Sequence, residues 1–352
     1  MRFGIFALPT YFAESDGSLA DFYQHILGLL TDAEALGFDS AWVNEHHFHA
    51  YGGMIPSPPV LLAALARRTS RIRLGTSVSL LPLHHPLEAA EAYAMVDQLS
   101  GGRLELGVGR GFMKYDYDTM QVPFDEGYAR LHESLDVILE AWQHQPFSHH
   151  GRFFNFDDVS VWPTPLQRPH PPIWGAATRT PETFRWVGSH GYGLLTVVYV
   201  FTLEKLAELI GHYREAAAAS GFAPGDLPIA THYQVYCSEN AAEARRVGER
   251  AIARYVAQNN LARAQGTVAF DLTAEGIDID ALIDAARVCV GTPDECAAVL
   301  ARASAALGLT SIDCTFSFGG IDHVQARRSL ELFAREVMPR FRTQPVPAPA
   351  GA

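Results

Sequence analysis

Cysteine is scarce in this chain. Its 352 residues hold four, Cys237, Cys289, Cys296 and Cys314, with no C-x-x-C pair. That excludes a disulfide framework and leaves buried thiols in a reducing cytoplasm as the expectation. Long hydrophobic runs are missing too: the most apolar stretch, residues 193–201, falls far short of the roughly 20 residues of a membrane span. The start, Arg2 to Leu8 followed by Pro9, has the length of a strand and lacks the marks of a secretory leader. Positive charge is in deficit, with 27 Lys and Arg against 39 Asp and Glu and a net charge of −12. This argues against a nucleic-acid partner. No repeat of 20–50 residues is visible, and no G-x-G-x-x-G follows the first strand.

What is present is core-forming material. Hydrophobic residues make up 48% and charged residues 19%, so a large core can form and a small molecule is the default ligand. Short β-type runs alternate with helical periods. Strands are expected at 2–8, 39–44, 72–81, 103–109, 172–177, 193–199, 229–237 and 311–318. Helices are expected at 19–36 (closed by Gly37), 57–68, 86–99, 125–144, from Pro181, and at 203–220, 241–258, 293–307 and 324–338. Two stretches break the rhythm. Residues 147–162 read as a hairpin, and 259–285 as an insert and candidate lid over the site. Prolines 163–172 form a rigid connector, and Trp142, Trp162, Trp174 and Trp186 read as core. Eight strands joined by crossover helices predict an α/β fold, one (β/α)8 TIM-barrel domain over residues 1–340 with a frayed Pro/Ala-rich tail at 341–352. The competing arrangement is an open doubly wound sheet.

In such a barrel the chemistry sits at the C-terminal strand ends. The second strand ends in Glu45-His46-His47. Neighbouring strand residues face opposite ways, so only one of the two histidines points squarely into the mouth. A carboxylate beside a histidine can orient it for acid/base work; the plain alternative is a polar surface rim. The pairs His84-His85 and His149-His150 lack the i, i+4 spacing of a helical zinc site, so no metal is expected. Strand four ends in Gly107-Val-Gly109-Arg110-Gly111, where glycine permits close backbone approach and Arg110 can neutralise an anion. Ala177-Thr178-Arg179-Thr180 runs into a helix with Thr180 at its N-cap and Pro181 behind it, a natural phosphate site. Arg130, within the 125–144 helix, reads by spacing alone as solvated. Phe6, Phe12, Phe48, Tyr199 and Phe318 lie near strand ends and are candidates for an apolar substrate pocket, or for core.

Taken together and in order, these motifs resemble the bacterial luciferase-like flavin monooxygenases. The resemblance rests on the Arg2-Phe-Gly-Ile-Phe start, Gly37-Phe-Asp-Ser-Ala-Trp-Val-Asn-Glu-His-His-Phe48, Leu74-Gly-Thr-Ser-Val78 with His85-Pro86, Gly102 to Gly111, Pro171-Pro-Ile173 and Val290-Gly-Thr-Pro293. It implies a TIM barrel that binds FMN as FMNH2 delivered by a separate NAD(P)H:flavin reductase. It also implies that O2 adds at the flavin C4a position and the resulting peroxide oxygenates a small to medium organic substrate. It makes His46 the catalytic histidine with Glu45 beside it. Ser77-Val78 then stand where the family presents a non-proline cis peptide under the flavin. Arg110 and Arg130 become phosphate ligands, with Thr178, Arg179 and Thr180 close by, and a homodimer is implied. Gly109 replaces the reactive cysteine of luciferase, and Ala177-Thr178-Arg179 replaces an acidic residue. Three other readings stay open at this level: hydride transfer with a deazaflavin or FMN, a non-catalytic flavin-binding protein, and a metal-dependent barrel hydrolase.

Overall fold

The computed structural model describes residues 1–264 and 277–342. In chain order the elements are β1 (Arg2–Ala7), α1 (Ala13–Asp16), α2 (Leu19–Ala35), β2 (Ser40–Val43), α3 (Pro58–Ala66), β3 (Arg73–Thr76), α4 (Pro86–Ser100) and β4 (Leu104–Val108). Then come α5 (Lys114–Thr119), α6 (Gly127–Gln143), β5 (Phe147–His150), β6 (Asn155–Val159), β7 (Ile173–Ala176), α7 (Pro181–Ser189), β8 (Gly193–Val197) and α8 (Leu203–Ala219). The chain finishes with β9 (Ile229–Cys237), α9 (Ala241–Ala264), α10 (Ile279–Asp284), β10 (Cys289–Gly291), α11 (Pro293–Leu307), β11 (Ser311–Thr315) and α12 (His323–Glu336). Helix boundaries follow local chemistry. Ser18 and Asp21 form a capping box that starts α2, and Thr292 and Glu295 do the same for α11, which ends at left-handed Gly308.

Eight parallel strands pair in the order β1, β2, β3, β4, β7, β8, β9, β11, and β11 returns to β1. The closed ring is a (β/α)8 barrel and rules out the open sheet. The 147–162 hairpin is present as antiparallel β5–β6. β10 is a ninth parallel strand, and it pairs with the outer end of β9, Val235–Cys237. It was not expected, because three residues are too few to show a period. β11 stops at Thr315 rather than Phe318. β3 likewise stops at Thr76 rather than Leu81. The Leu80 N–H leaves the ladder and donates to Glu45 Oε2 (3.0 Å). Trp162, expected in the core, is 70% exposed. The proposed insert at 259–285 lies partly outside the described residues, and so does the tail, from residue 343 on.

Strand parity sorts side chains into two cores. Phe3, Ile5, Val43, Leu74, Leu106 and Ile312 face the helices. Phe6, Trp42, Trp174, Leu195 and Ala230 face the barrel axis. Trp42 and Trp174 meet edge to face (centroids 5.4 Å) across the interior. They fit only because glycines stand opposite: a Cβ on Gly75 would lie 2.1 Å from Trp42, and one on Gly193 2.5 Å from Trp174. Toward the strand starts the axis turns polar. Glu105 accepts from Arg2 (3.0 Å) and Arg73 (2.5 Å), and Asp313 is buried nearby. The indole pair therefore separates a charged floor from the strand ends where the candidate residues lie.

Candidate active site at the strand ends

Strand parity divides Glu45-His46-His47 as expected. His46 enters the mouth, with its ring 5.6 Å from Tyr51 and 5.7 Å from Phe112. His47 turns the other way. Glu45 is not the partner of His46, contrary to the expectation that it orients that ring. Its Oε1 takes His47 Nε2 (2.9 Å) and His84 Nε2 (2.5 Å), and its Oε2 takes the Leu80 N–H and, at 3.4 Å, the Ser79 hydroxyl. Side chains at adjacent extended positions diverge, whereas 45 and 47 share a face. Burial pushes the Glu45 carboxyl up, but the two imidazole bonds, the charge of His84 and the Leu80 N–H outweigh it and hold the pKa at about 2. His84 is raised in turn: burial lowers it, and its bond to Glu45 more than compensates.

His46 is buried and neutral. Desolvation, and then the nearby His49 and His47, lower its pKa to about 3, and its Nδ1 has no hydrogen-bond partner. The loop after β2 is packed over it. Asn44 Nδ2 donates to the Gly52 carbonyl (2.9 Å). Gly52 has φ +68°, and a Cβ there would lie 2.8 Å from His46 Cδ2 and 2.5 Å from Leu8 Cδ1, so only glycine lets the loop come this close. Tyr51 is tied across the mouth to Tyr255 of α9 by a 2.7 Å hydroxyl–hydroxyl bond.

The rest of the rim assembles several candidates. The Ser77–Val78 peptide is cis. Val78, Gly109 and Ala176 lie side by side: a Cβ on Gly109 would sit 2.6 Å from Val78 Cγ2 and 3.5 Å from Ala176 Cβ. Ala177 is buried, with its N–H on Leu195 O (3.0 Å). Arg110 is sandwiched between the Phe124 and Tyr128 rings (4.4 and 4.6 Å) and has no ion-pair partner among the described residues. The Tyr128 hydroxyl lies 3.2 Å from Thr183 Oγ1, which is 2.7 Å from Thr180 Oγ1. Thr180 is the N-cap of α7, as expected, but its hydroxyl bonds Thr183 rather than a helix amide. Thr178 and Arg179 are exposed on the same turn. Arg130 is already neutralised by Glu126 (2.8 Å) and stacks on Phe153 of the hairpin (4.3 Å).

The apolar candidates divide. Phe6 and Tyr199 both pack on His232 (5.0 and 5.2 Å), and Phe318 packs on Tyr255 (6.5 Å). Phe12 lies under Arg254 (4.1 Å). Phe48, at φ +58°, is half exposed and packs on His47 instead (5.5 Å). Sequence reasoning missed His232, Tyr51 and Tyr255. His232 is fully desolvated, which lowers its pKa to about 4, and its Nε2 is unpaired. It shares the axial face of β9 with Ala230, so parity along that strand was the available signal.

Among the described residues no helix is long and apolar enough to cross a membrane. The protein y4vJ of Sinorhizobium fredii is 36% identical over 60% of this chain and 60% of its own length. The oxygenase component of a flavin-dependent trigonelline monooxygenase from Acinetobacter baylyi is 31% identical over 61% and 59%. The matches thus span about three-fifths of these curated relatives. The crystal structure of monooxygenase RslO1 from Streptomyces bottropensis superposes with a TM-score of 0.87 at 32% identity, covering 97% of this chain and all of that one. Residues 1–311 match the family described as luciferase-like monooxygenase, and the chain belongs to that family.

Proposed function

We propose that this protein is the oxygenase of a two-component system that uses reduced FMN and O2 to oxygenate a small to medium, largely apolar or aromatic organic substrate. The observation that carries this reading is the arrangement of the mouth. A buried, neutral His46 with an unpaired Nδ1 stands at one side, and an Arg110 guanidinium without a carboxylate partner among the described residues stands at another. The residues fit the group. Gly109 carries no side chain, so Val78 packs directly on its backbone beside Ala176, and the apolar surface they make suits a flat ring. A phosphate needs Arg110, the Thr180 and Thr183 hydroxyls and the N-terminus of α7. Reduced flavin, when bound, supplies the electrons that activate O2.

The chain's own residues supply the rest. Arg110 and the α7 turn hold the phosphate end, with Thr178 and Arg179 beside them, while Ser77, Val78, Gly109 and Ala176 bound the ring; Ala177, expected there, packs into the helix-side core instead. Arg130 contributes charge at one remove, through the cluster it forms with Glu126 and Arg152. Phe6, Tyr199 and Phe318 wall the mouth and exclude water. His46 takes up or delivers a proton at Nδ1, and Glu45 keeps its own cluster of His47, His84 and Leu80 rigid behind it. A separate NAD(P)H:flavin reductase, a homodimer and a cytoplasmic location belong to the same reading.

The test is oxygenation under reductase-supplied FMNH2, with flavin binding measured in parallel. His46→Asn is expected to lower turnover by about 100-fold or more and to leave reduced-flavin affinity intact. Tight binding of FMNH2 over FMN is expected. Full anaerobic turnover with a reduced flavin or deazaflavin would replace this reading with hydride transfer. Unchanged turnover in His46→Asn would remove the histidine from it.

A further inference from the structure

A second set of ligating side chains meets beside the mouth. His46 at the end of β2, His49 in the following loop and Asp116 of α5 each offer one ligand atom within 4.8 Å of the others. His49 Nε2 and Asp116 Oδ1 are 3.5 Å apart. His46 is 8% exposed, Asp116 1%, and the His49 side chain 4%. Five of their polar atoms have no hydrogen-bond partner: His46 Nδ1, both His49 ring nitrogens and both Asp116 oxygens. Buried polar atoms are nearly always paired, and a buried carboxylate without hydrogen bonds is costly. Three side chains that each bring one ligand atom to the same point, and that leave five polar atoms unpaired between them, point to a common partner.

We propose that His46, His49 and Asp116 bind one divalent transition-metal ion of the zinc class, leaving a fourth position for water or another donor. Two imidazoles and a carboxylate suit zinc, whereas calcium and magnesium prefer all-oxygen sets. Ligand atoms around a tetrahedral zinc with bonds of 2.0–2.1 Å lie about 3.3 Å apart. The His49–Asp116 pair is already near that spacing, and the remaining atoms need to close by about 1.5 Å at most. The other three-residue group, Glu45 with His47 and His84, is a poorer host. Glu45 is already saturated by the two imidazoles, the Leu80 N–H and the Ser79 hydroxyl, and an ion would have to break those bonds. The i, i+3 histidines and an aspartate 67 positions further on show no metal-ligand spacing in the sequence; the short helix α5 brings the aspartate in. An ion here would occupy His46 and so block the proton transfer assigned to it, but its binding does not rest on flavin chemistry.

The experiment is a titration of the chelator-stripped full-length protein, without flavin, with Co²⁺ and then Zn²⁺. It is followed by calorimetry and by the visible ligand-field bands of cobalt. One ion per chain is expected, with four-coordinate cobalt bands that zinc abolishes. Removing a direct ligand should weaken binding at least as much as removing an outer-shell partner does, about 10–100-fold. Asp116→Asn and His49→Gln should each do so, and His84→Gln should not. Circular dichroism checks that each variant is folded. Imidazole ¹⁵N shifts of His46 and His49 on zinc addition to the unaltered protein report the same contacts without any variant. No saturable binding would overturn the proposal. So would binding that survives both Asp116→Asn and His49→Gln, or binding lost only in His84→Gln.

Discussion

Asp313 allows a direct test of how the barrel floor is built. Its carboxyl is fully buried on β11, and one oxygen, Oδ1, has no hydrogen-bond partner. Desolvation raises its pKa from 3.8 to about 7. Arg2 on β1 opposes that rise, Glu105 on β4 adds to it, and bonds from Ser311 and Trp42 oppose it. Arg73, the other charge at this end, is committed to Glu105. A folded pKa above the unfolded one means that Asp313 is least harmful to the fold below pH 4. Stability is then lost as the pH rises through 7, by about 4 kcal/mol in all. Between pH 5 and pH 8 the loss from this group is about 2.5 kcal/mol. Asp313→Asn stays neutral throughout. Urea unfolding of both proteins at the two pH values isolates the group, because every other titration is shared and cancels. The parent should lose about 2.5 kcal/mol more than the variant over this interval, and the variant should be the more stable at pH 8. Equal pH slopes in the two proteins would refute the account of a neutral buried Asp313.

Arg110→Ala should weaken FMN binding about 10–100-fold, as expected for a charged hydrogen-bond partner. Riboflavin, which lacks the phosphate, should bind the variant as it binds the parent; equilibrium fluorescence titration compares the two. Gly75→Ala forces a methyl to within 2.1 Å of Trp42. It should destabilise the barrel by about 1–3 kcal/mol, read by urea unfolding, with a change in tryptophan near-UV circular dichroism. Asp97 is fully buried at the end of α4 and accepts from the N–H groups of Leu104, Leu166 and Gln167 and from the Gln167 amide. Asp97→Ala removes all four bonds and takes the side-chain acceptor from three backbone N–H groups, and a loss of about 3–5 kcal/mol is expected, measured in the same way.

Much of the barrel was legible because strands and crossover helices leave periods of two and three to four in the sequence. β9 and α11 fall on their expected residues, 229–237 and 293–307. The misses have local causes. β10 is too short to show a period, and α5, Lys-Tyr-Asp-Tyr-Asp-Thr, has no apolar stripe. At the site, parity correctly separated His46 from His47. Glu45 was assigned to the wrong histidine by adjacency in sequence, whereas parity pairs positions 45 and 47.

By itself the sequence determined which residues stand at strand ends and which face of each strand they occupy, through spacing along one chain segment. It also held the glycines opposite Trp42 and Trp174, although their purpose is visible only once the strands close. The tertiary structure alone decided the encounters between elements. Glu45 reaches His84, Tyr51 reaches Tyr255, and Asp116 approaches His49. Periodicity reports a side chain's direction relative to its own backbone. Which distant group it meets depends on how segments 39 to 204 residues apart are brought together around the ring, and no short-range pattern carries that information.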